Sequence, residues 1–521
     1  MKLERSAGLL LHPTSLPGRF GIGEINEMAY RWVDTLVSAR QTVWQVLPLG
    51  PTGYGDSPYQ TFSAFAGNPL LIDLARLAHE GYASHEALEE APGFPDERVD
   101  FGPVITWKKP LLLGAYQQFA TQADPAEVAA FNSFCAEHDA IWLHDYSFFM
   151  ALKDYFNGEA WGTWPGELKR REPLALARWG ERLAPAIMAH KFMQYQFFKQ
   201  WGELKRYANE HGILIFGDIP IYVSYDSADV WAHQHLFLLD EDGRPTVVAG
   251  VPPDYFSPTG QLWGNPLYRW DVMSTEGYQW WIERVRITLH LVDMVRFDHF
   301  RGFEAYWEVP AGEETAVNGR WVQGPGAAFF EALFSALGDP SAGLSSSSGR
   351  GVPIIAEDLG VITPEVEALR DAFGFPGMKI LQFAFDDDAT NPYLPHSYEP
   401  NCVVYTGSHD NDTTRGWFAS APEPEQAFCV SYLGYTPDDI AWALMRLAAS
   451  SIAALAIFPV QDVLSLGSEA RMNMPSQAAG NWAWRLRANA LTDDHIARLA
   501  ELAETYGRAG ISQDDNQHSR R

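Results

Sequence analysis

Eight short apolar runs, most of them separated by helical patterns, restrict this chain to an α/β architecture. The runs are Ala7–His12, Thr42–Pro48, Ile213–Asp218, Leu291–Asp298, Val352–Glu357, Met378–Ala384, Cys402–Thr406 and Ala453–Pro459. Each reads as a parallel strand covered on both faces. Helical periodicity marks Glu27–Ser38, Tyr278–Leu289, Thr363–Phe373 and Ile440–Ala449 between them. Eight strands alternating with helices predict a (β/α)₈ TIM barrel. A doubly wound open sheet is the alternative. No GxGxxG turn follows the first run, so nothing favours its dinucleotide-binding form.

The spacing of the runs is uneven, and the chain is long for one compact domain. The connection Leu49–Gly212 holds helical stretches at Trp107–Gln122, Pro125–Glu137, Asp139–Tyr155 and Pro185–Ala208, so a mainly helical subdomain of about residues 50–205 is expected over the barrel mouth. Residues 222–277 contain GVPPDYFSPTGQLWGNPLY, dense in Gly and Pro, and read as a loop or lid subdomain. Residues 1–521 are otherwise expected to form a single barrel unit. The patch Leu344–Gly351 (LSSSSGRG) reads as an exposed loop and the tail GISQDDNQHSRR as a frayed end.

Charge and cysteine usage narrow the class. A net charge of −28 repels phosphate backbones, so nucleic acid is not an expected partner. Cys135, Cys402 and Cys429 are widely spaced and form neither a disulfide framework nor a CxxC metal site, which fits a reducing compartment. The N-terminal apolar run is too short for a signal peptide, and no stretch has the length of a membrane helix. A cytoplasmic enzyme is the expectation. The oligomeric state is open.

The runs end on acids. Asp218, Asp298, Glu357 and Asp410 lie at or just beyond the ends of four of them, where barrel active sites are built. One acid at a strand end is ordinarily an N-cap or a solvated turn; four of them point to a site. Arg296 and Asp298 share a strand face, so the guanidinium is expected to lower the Asp298 pKa and keep it ionised, as suits a nucleophile; the alternative is a structural Arg–Asp pair. Glu357 sits beside Asp358, and burial near other carboxylates would let it hold the proton a general acid needs; the alternative is that Glu357 or Asp358 caps the following turn. His409 and Asp410 in TGSHDNDTTRGW fit hydrogen bonding to sugar hydroxyls, with Asp412 capping the next helix. A metal reading of the His and Asp residues is open, but no paired His spacing supports it. Neither metal nor cofactor is expected.

These stretches make the chain resemble the 4-α-glucanotransferases called amylomaltases or disproportionating enzymes, barrel relatives of the α-amylase group. The likeness is carried by LLLHPTSLPGRFGIG, VWQVLPLGPTGYGDSPYQTFSAFAGNPLLIDL, GDIPIYVSYDSADVW, VRFDHFRGFEAYWEVP, IIAEDLGVITPEV, VVYTGSHDNDTTRGW and PVQDVLSLGSEARMNMPS, over nearly the whole chain. The resemblance implies Asp298 as nucleophile, Glu357 as general acid/base and Asp410 as a third carboxylate that holds sugar hydroxyls. Arg296 and His409 would be site companions, with Asp218 near the sugar in the reactive subsite. It further implies Tyr59 as a donor-site platform, Trp263 on a mobile flap near the acceptor, and Tyr54 on a second glucan-binding surface. The implied reaction is retaining transfer of an α-1,4-glucan segment between maltooligosaccharides, without a C-terminal β-sandwich domain. Ser408 and MNMPS depart from the family's usual Thr and Met-Asn-Thr-Pro-Gly, and the stretch before the fifth run is longer than usual. An α-glucan hydrolase is the nearest competing activity, followed by a metal-dependent hydrolase and a non-catalytic glucan-binding protein.

Overall fold

The structure is a computed structural model that describes residues 3–253, 257–338, 352–386, 388–475, 477 and 479–510. The Leu344–Gly351 patch and all but the first residue of the tail lie outside the described residues. Twelve strands are described: β1 (Ser6–Leu10), β2 (Val43–Gln45), β3 (Leu214–Pro220), β4 (Val247–Val251), β5 (Gln261–Pro266), β6 (Met294–Asp298), β7 (Ala305–Pro310), β8 (Arg320–Gln323), β9 (Ile354–Ala356), β10 (Gly377–Ile380), β11 (Cys402–Tyr405) and β12 (Leu455–Pro459).

Eight of them form one all-parallel sheet in the order β10-β11-β12-β1-β2-β3-β6-β9. All eight expected runs supply these strands, so the barrel holds and the open-sheet alternative falls. The sheet closes between β9 and β10 by a seam rather than a full ladder. The Ala356 amide donates to the Pro376 carbonyl at 2.9 Å, and the Asp358 carboxylate accepts the Met378 amide at 2.7 Å. Asp358 also binds Arg370 at 2.6 Å. A Cβ on Gly377 would fall 2.3 Å from the Asp358 carboxylate, so the seam requires glycine there.

Strand alternation sorts the barrel. Leu10, Val43, Phe216, Met294, Ile355, Met378, Ile380, Val403, Leu455 and Ile457 make one cluster, filling the barrel interior. Their neighbours Leu9, Trp44, Ile215, Val295, Ile354, Val404 and Ala456 belong to the larger cluster under the surrounding helices. Inward positions nearer the C-terminal strand ends are Asp218, Arg296, Asp298 and Glu357, so the period that buries the core also delivers the charges.

The connection after β2 carries helices Phe101–Gln122, Pro125–His138, His144–Tyr155 and Pro173–Glu210. The last begins twelve residues before Pro185, the expected start, and runs through it for 38 residues. An interior proline forfeits one backbone hydrogen bond; here the flanking buried face, with Trp179, Ile187, Phe192 and Phe197, keeps the helix continuous. Helix Phe101–Gln122 is pinned to the barrel by an ion pair between Lys108 and Glu24, both essentially unexposed; Lys108 Nζ also donates to the Leu70 carbonyl at 2.7 Å. Burial works against both charges, and each holds the other's. Lys108→Met is expected to cost about 3–5 kcal/mol by leaving an unpaired buried carboxylate, measured by chemical denaturation. The Glu24→Gln/Lys108→Met double variant should regain most of the loss. Wild-type stability in the single variant would count against this.

A second sheet, antiparallel in the order β5-β4-β7-β8, joins the 222–277 connection to the segment that follows β6. The Gly- and Pro-dense connection expected as a loop or lid subdomain thus contains β4 and β5. No helix of the described residues is long and apolar enough to cross a membrane.

Candidate active site

The register of neighbouring strands assembles the centre of the site. Asp218 of β3 stands opposite Arg296 of β6, and Pro220 opposite Asp298. On the other side, Phe297 stands opposite Ala356, and the Glu357 amide donates to the Phe297 carbonyl at 3.0 Å. Asp298 and Glu357 therefore leave adjacent strand ends side by side.

Arg296 is the hub. Its Nη2 lies 2.6 Å from Asp298 Oδ1 and 2.8 Å from Asp218 Oδ2, and its Nε donates to Asp218 Oδ2 at 3.0 Å. Tyr59 donates its hydroxyl to the same Asp218 oxygen at 2.7 Å. Burial opposes the Arg296 charge, yet Asp218 and Asp298 hold it firmly protonated. The Asp218 side chain is 0 % exposed. It accepts from both Arg296 and Tyr59 and so orients them.

Asp298 and Glu357 are driven apart electrostatically. Burial pushes Asp298 up to about 6 while Arg296 pulls it down. Arg296 acts in the expected direction, but the expected net lowering is corrected: desolvation outweighs it. Glu357 is pushed further, to about 8, by burial and then by the Asp298 charge. The neighbouring carboxylate responsible is Asp298, from the next strand; Asp358, next in sequence, is turned into the seam. Glu357 is also fixed in place: Oε2 accepts the His299 amide at 2.7 Å and Oε1 the Leu359 amide at 3.0 Å. His299 can present its amide this way because it adopts a left-handed conformation, φ 52°, which is rare for a residue with a side chain.

Asp410 follows β11. Burial would raise it, but His409 and the Asn473 amide more than offset this and hold it well below the ordinary carboxylate range. Asn473 Nδ2 donates to Oδ1 at 2.6 Å, and His409 Nε2 lies 3.3 Å from Oδ2. The side chains of Asp298 and Asp410 remain 29 % and 47 % open to solvent. Asp412 accepts from the Thr413 amide and from Ser468; the cap of the next helix is Thr413 itself, which accepts from the Gly416 amide.

Aromatic rings frame the acids. Tyr59 stacks on His409 with centroids 5.1 Å apart and planes at 14°, and Trp482 packs against both. Trp263 meets the His299 ring nearly perpendicularly at 4.7 Å. It lies on β5. Tyr54 is 77 % exposed and, among the described residues, makes no hydrogen bond or ring contact with the acid cluster. Asn473 and Trp482 are not legible as site residues in the sequence. Asn473 lies in the quoted RMNMPS stretch, but only the fold brings it to Asp410.

The arrangement pairs a carboxylate ionised at neutral pH with a carboxylic acid that is still protonated, set on one wall beside a third carboxylate and flat rings. That is the equipment for glycosidic-bond chemistry. Comparison with known proteins agrees. The family model described as 4-alpha-glucanotransferase matches residues 11–492. The 4-alpha-glucanotransferase of Thermus thermophilus is 55 % identical over 516 residues, 98 % of this chain and 100 % of that one. The one from Synechocystis is 53 % identical over 97 % of this chain and 98 % of that one. The solved amylomaltase from Streptococcus agalactiae, in complex with acarbose, superposes with a TM-score of 0.92 at 40 % identity, covering 97 % of this chain and 100 % of that one. With a match that spans every barrel strand end bearing an acid, the chain belongs to the 4-alpha-glucanotransferase family and is an enzyme of that class.

Proposed function

We propose that the enzyme moves an α-1,4-glucan segment from a donor maltooligosaccharide to the 4-hydroxyl of an acceptor glucan or glucose, with retention and through a covalent glycosyl-enzyme intermediate. Asp298 attacks the anomeric carbon as the glycosidic bond breaks, and Glu357 gives its proton to the departing oxygen. An acceptor then binds; Glu357, now ionised, takes the proton of its 4-hydroxyl, and that oxygen displaces Asp298. Two inversions restore the α configuration. Asp410, ionised and steered by His409 and Asn473, accepts hydrogen bonds from sugar hydroxyls. Arg296 disperses the charge on Asp298, and Asp218 positions Arg296 and Tyr59. Tyr59 and Trp263 offer ring faces to glucose units on either side of the acids, and Tyr54 offers a separate glucan contact.

The observation that carries this reading is the split between Asp298 and Glu357, two adjacent strand-end carboxyls pushed to about 6 and about 8. Residues 1–521 act in it as one catalytic unit, with residues 50–205 and 222–277 walling the cleft and limiting water. Water loses to a sugar acceptor in such a site because the rings bind the acceptor and desolvate the intermediate. Three free thiols fit a cytoplasmic setting.

Maltotriose alone, as sole substrate, should give glucose and a ladder of longer oligomers. Glucose and maltose only, in hydrolytic proportion, would sink the transferase reading in favour of hydrolysis. The pH profile of kcat/KM on the same substrate should be bell-shaped. The rate falls as pH drops through about 6, where Asp298 takes a proton, and falls again as pH rises through about 8, where Glu357 loses one. Both limbs belong to the coupled pair. A profile flat from pH 5 to 9 would refute the assignment.

A further inference from the structure

The mechanism above leaves one well-held aromatic unused. Trp321, on the edge strand β8, is 42 % exposed. Its ring is not loose. The Arg301 guanidinium lies 3.9 Å from the ring centroid, and Trp307, its cross-strand partner, packs at 71° with centroids 5.3 Å apart. Arg301 is itself buried and belongs to the turn Phe300–Phe303 that follows Asp298 and His299. The same guanidinium donates to the Val361 carbonyl. Val361 lies in the stretch after Glu357, two residues beyond the Leu359 amide that donates to Glu357, and is 54 % exposed.

One buried cation thus ties together the turn after Asp298, the stretch after Glu357, and an exposed indole. Position in the barrel gives the indole a side. Trp321 and Val361 come from the connections after β6 and β9, which are neighbours in the sheet. Tyr59 and Asp410 come from the connections after β2 and β11, elsewhere around the ring. The oxygen served by Glu357 is the one that leaves with the first product and returns with the acceptor. A ring tied through Arg301 to the Glu357 stretch stands on the same side of the barrel as Glu357. An indole held flat on a guanidinium, beside an exposed valine, presents the rigid apolar surface that the face of a glucose unit covers well.

We propose that Trp321, with Val361, forms an outlying acceptor contact that selects longer α-glucans over glucose. The inference rests on the transfer mechanism proposed above. It is tested with Trp321→Ala and Trp321→Phe, using maltotriose as donor and comparing glucose with maltohexaose as acceptor. Trp321→Ala should raise the KM for maltohexaose relative to that for glucose about tenfold, the effect of losing one aromatic contact, and Trp321→Phe should restore most of the discrimination. Thermal unfolding of both variants checks that the fold is retained. An equal loss with both acceptors would mean that Trp321 merely props Arg301 and would overturn the inference, as would unchanged discrimination. A wild-type enzyme that makes no longer oligomers at all would overturn the transfer mechanism and this inference together.

Discussion

Asp298→Asn is expected to abolish transfer, lowering kcat by about 10⁴-fold or more, since no other group can form the glycosyl ester. The side chains are nearly isosteric, so the fold should survive, and far-ultraviolet circular dichroism should match the wild type. Glu357→Gln should separate the two half-reactions. With a natural maltooligosaccharide it should be nearly as inactive, because the departing oxygen needs a proton. With an α-maltosyl fluoride donor, whose leaving group needs little help, the first step should still proceed. The second is slow without a base, so the glycosyl ester should accumulate and appear by mass spectrometry as a covalent adduct on the peptide bearing Asp298. Azide, a nucleophile that requires no deprotonation, should speed its turnover. An adduct on any other residue, or an active Asp298→Asn enzyme, would defeat the proposed roles.

Arg296→Met should be the most damaging change in the site to fold and activity together. Arg296 is 3 % exposed and is the cation for two acids, Asp218 and Asp298. Removing it leaves the buried Asp218 carboxyl and the partly exposed Asp298 carboxyl without their shared cation. A loss of about 3–5 kcal/mol is expected from the unpaired charge, read by denaturant unfolding. Activity should fall for a second reason. Arg296 draws the Asp298 pKa down, so without it that pKa climbs above its present value of about 6. The acid limb of the pH profile then moves up into the basic limb set by Glu357. The bell narrows and its maximum collapses, because few molecules hold one proton on Glu357 and none on Asp298. Arg296→Lys keeps the charge but not the two-acid fork, so it should shift the limb less than the methionine variant does. An Arg296→Met enzyme with the wild-type acid limb would show that the guanidinium does not tune Asp298.

The residues of the site differ in how plainly the sequence shows them. Asp298 and Glu357 stand at the ends of apolar runs, and runs of that kind announce parallel strands because a strand covered on both faces needs apolar residues at nearly every position. Alternation along one strand then puts Arg296 beside Asp298 without any knowledge of the fold. The direction of the Asp298 shift was not readable in this way. Arg296 is two residues away and visible; the desolvation that outweighs it is supplied by strands and loops from the whole chain. Likewise Asp358 looked like the neighbour of Glu357 because it is next in sequence, whereas successive strand residues face opposite ways and the charge that matters comes from β6.

The antiparallel sheet escaped notice for a related reason. β4 and β5 are short and set among Gly and Pro, and their partner strands β7 and β8 lie in another connection, so neither half shows a pattern of its own. Asn473 and Trp482 reach the site only because the segment after β12 folds back over the barrel mouth.

By itself, then, the sequence determined the eight strands, the acids that end them and the shared face of Arg296 and Asp298, since apolar runs and strand alternation are local properties. Tertiary structure alone decided how those acids titrate. The register that sets Asp298 beside Glu357, the burial that raises both, and the Asn473 and His409 contacts that hold Asp410 down depend on distances between segments remote in the chain, and electrostatic energy follows distance and solvent access rather than order of residues.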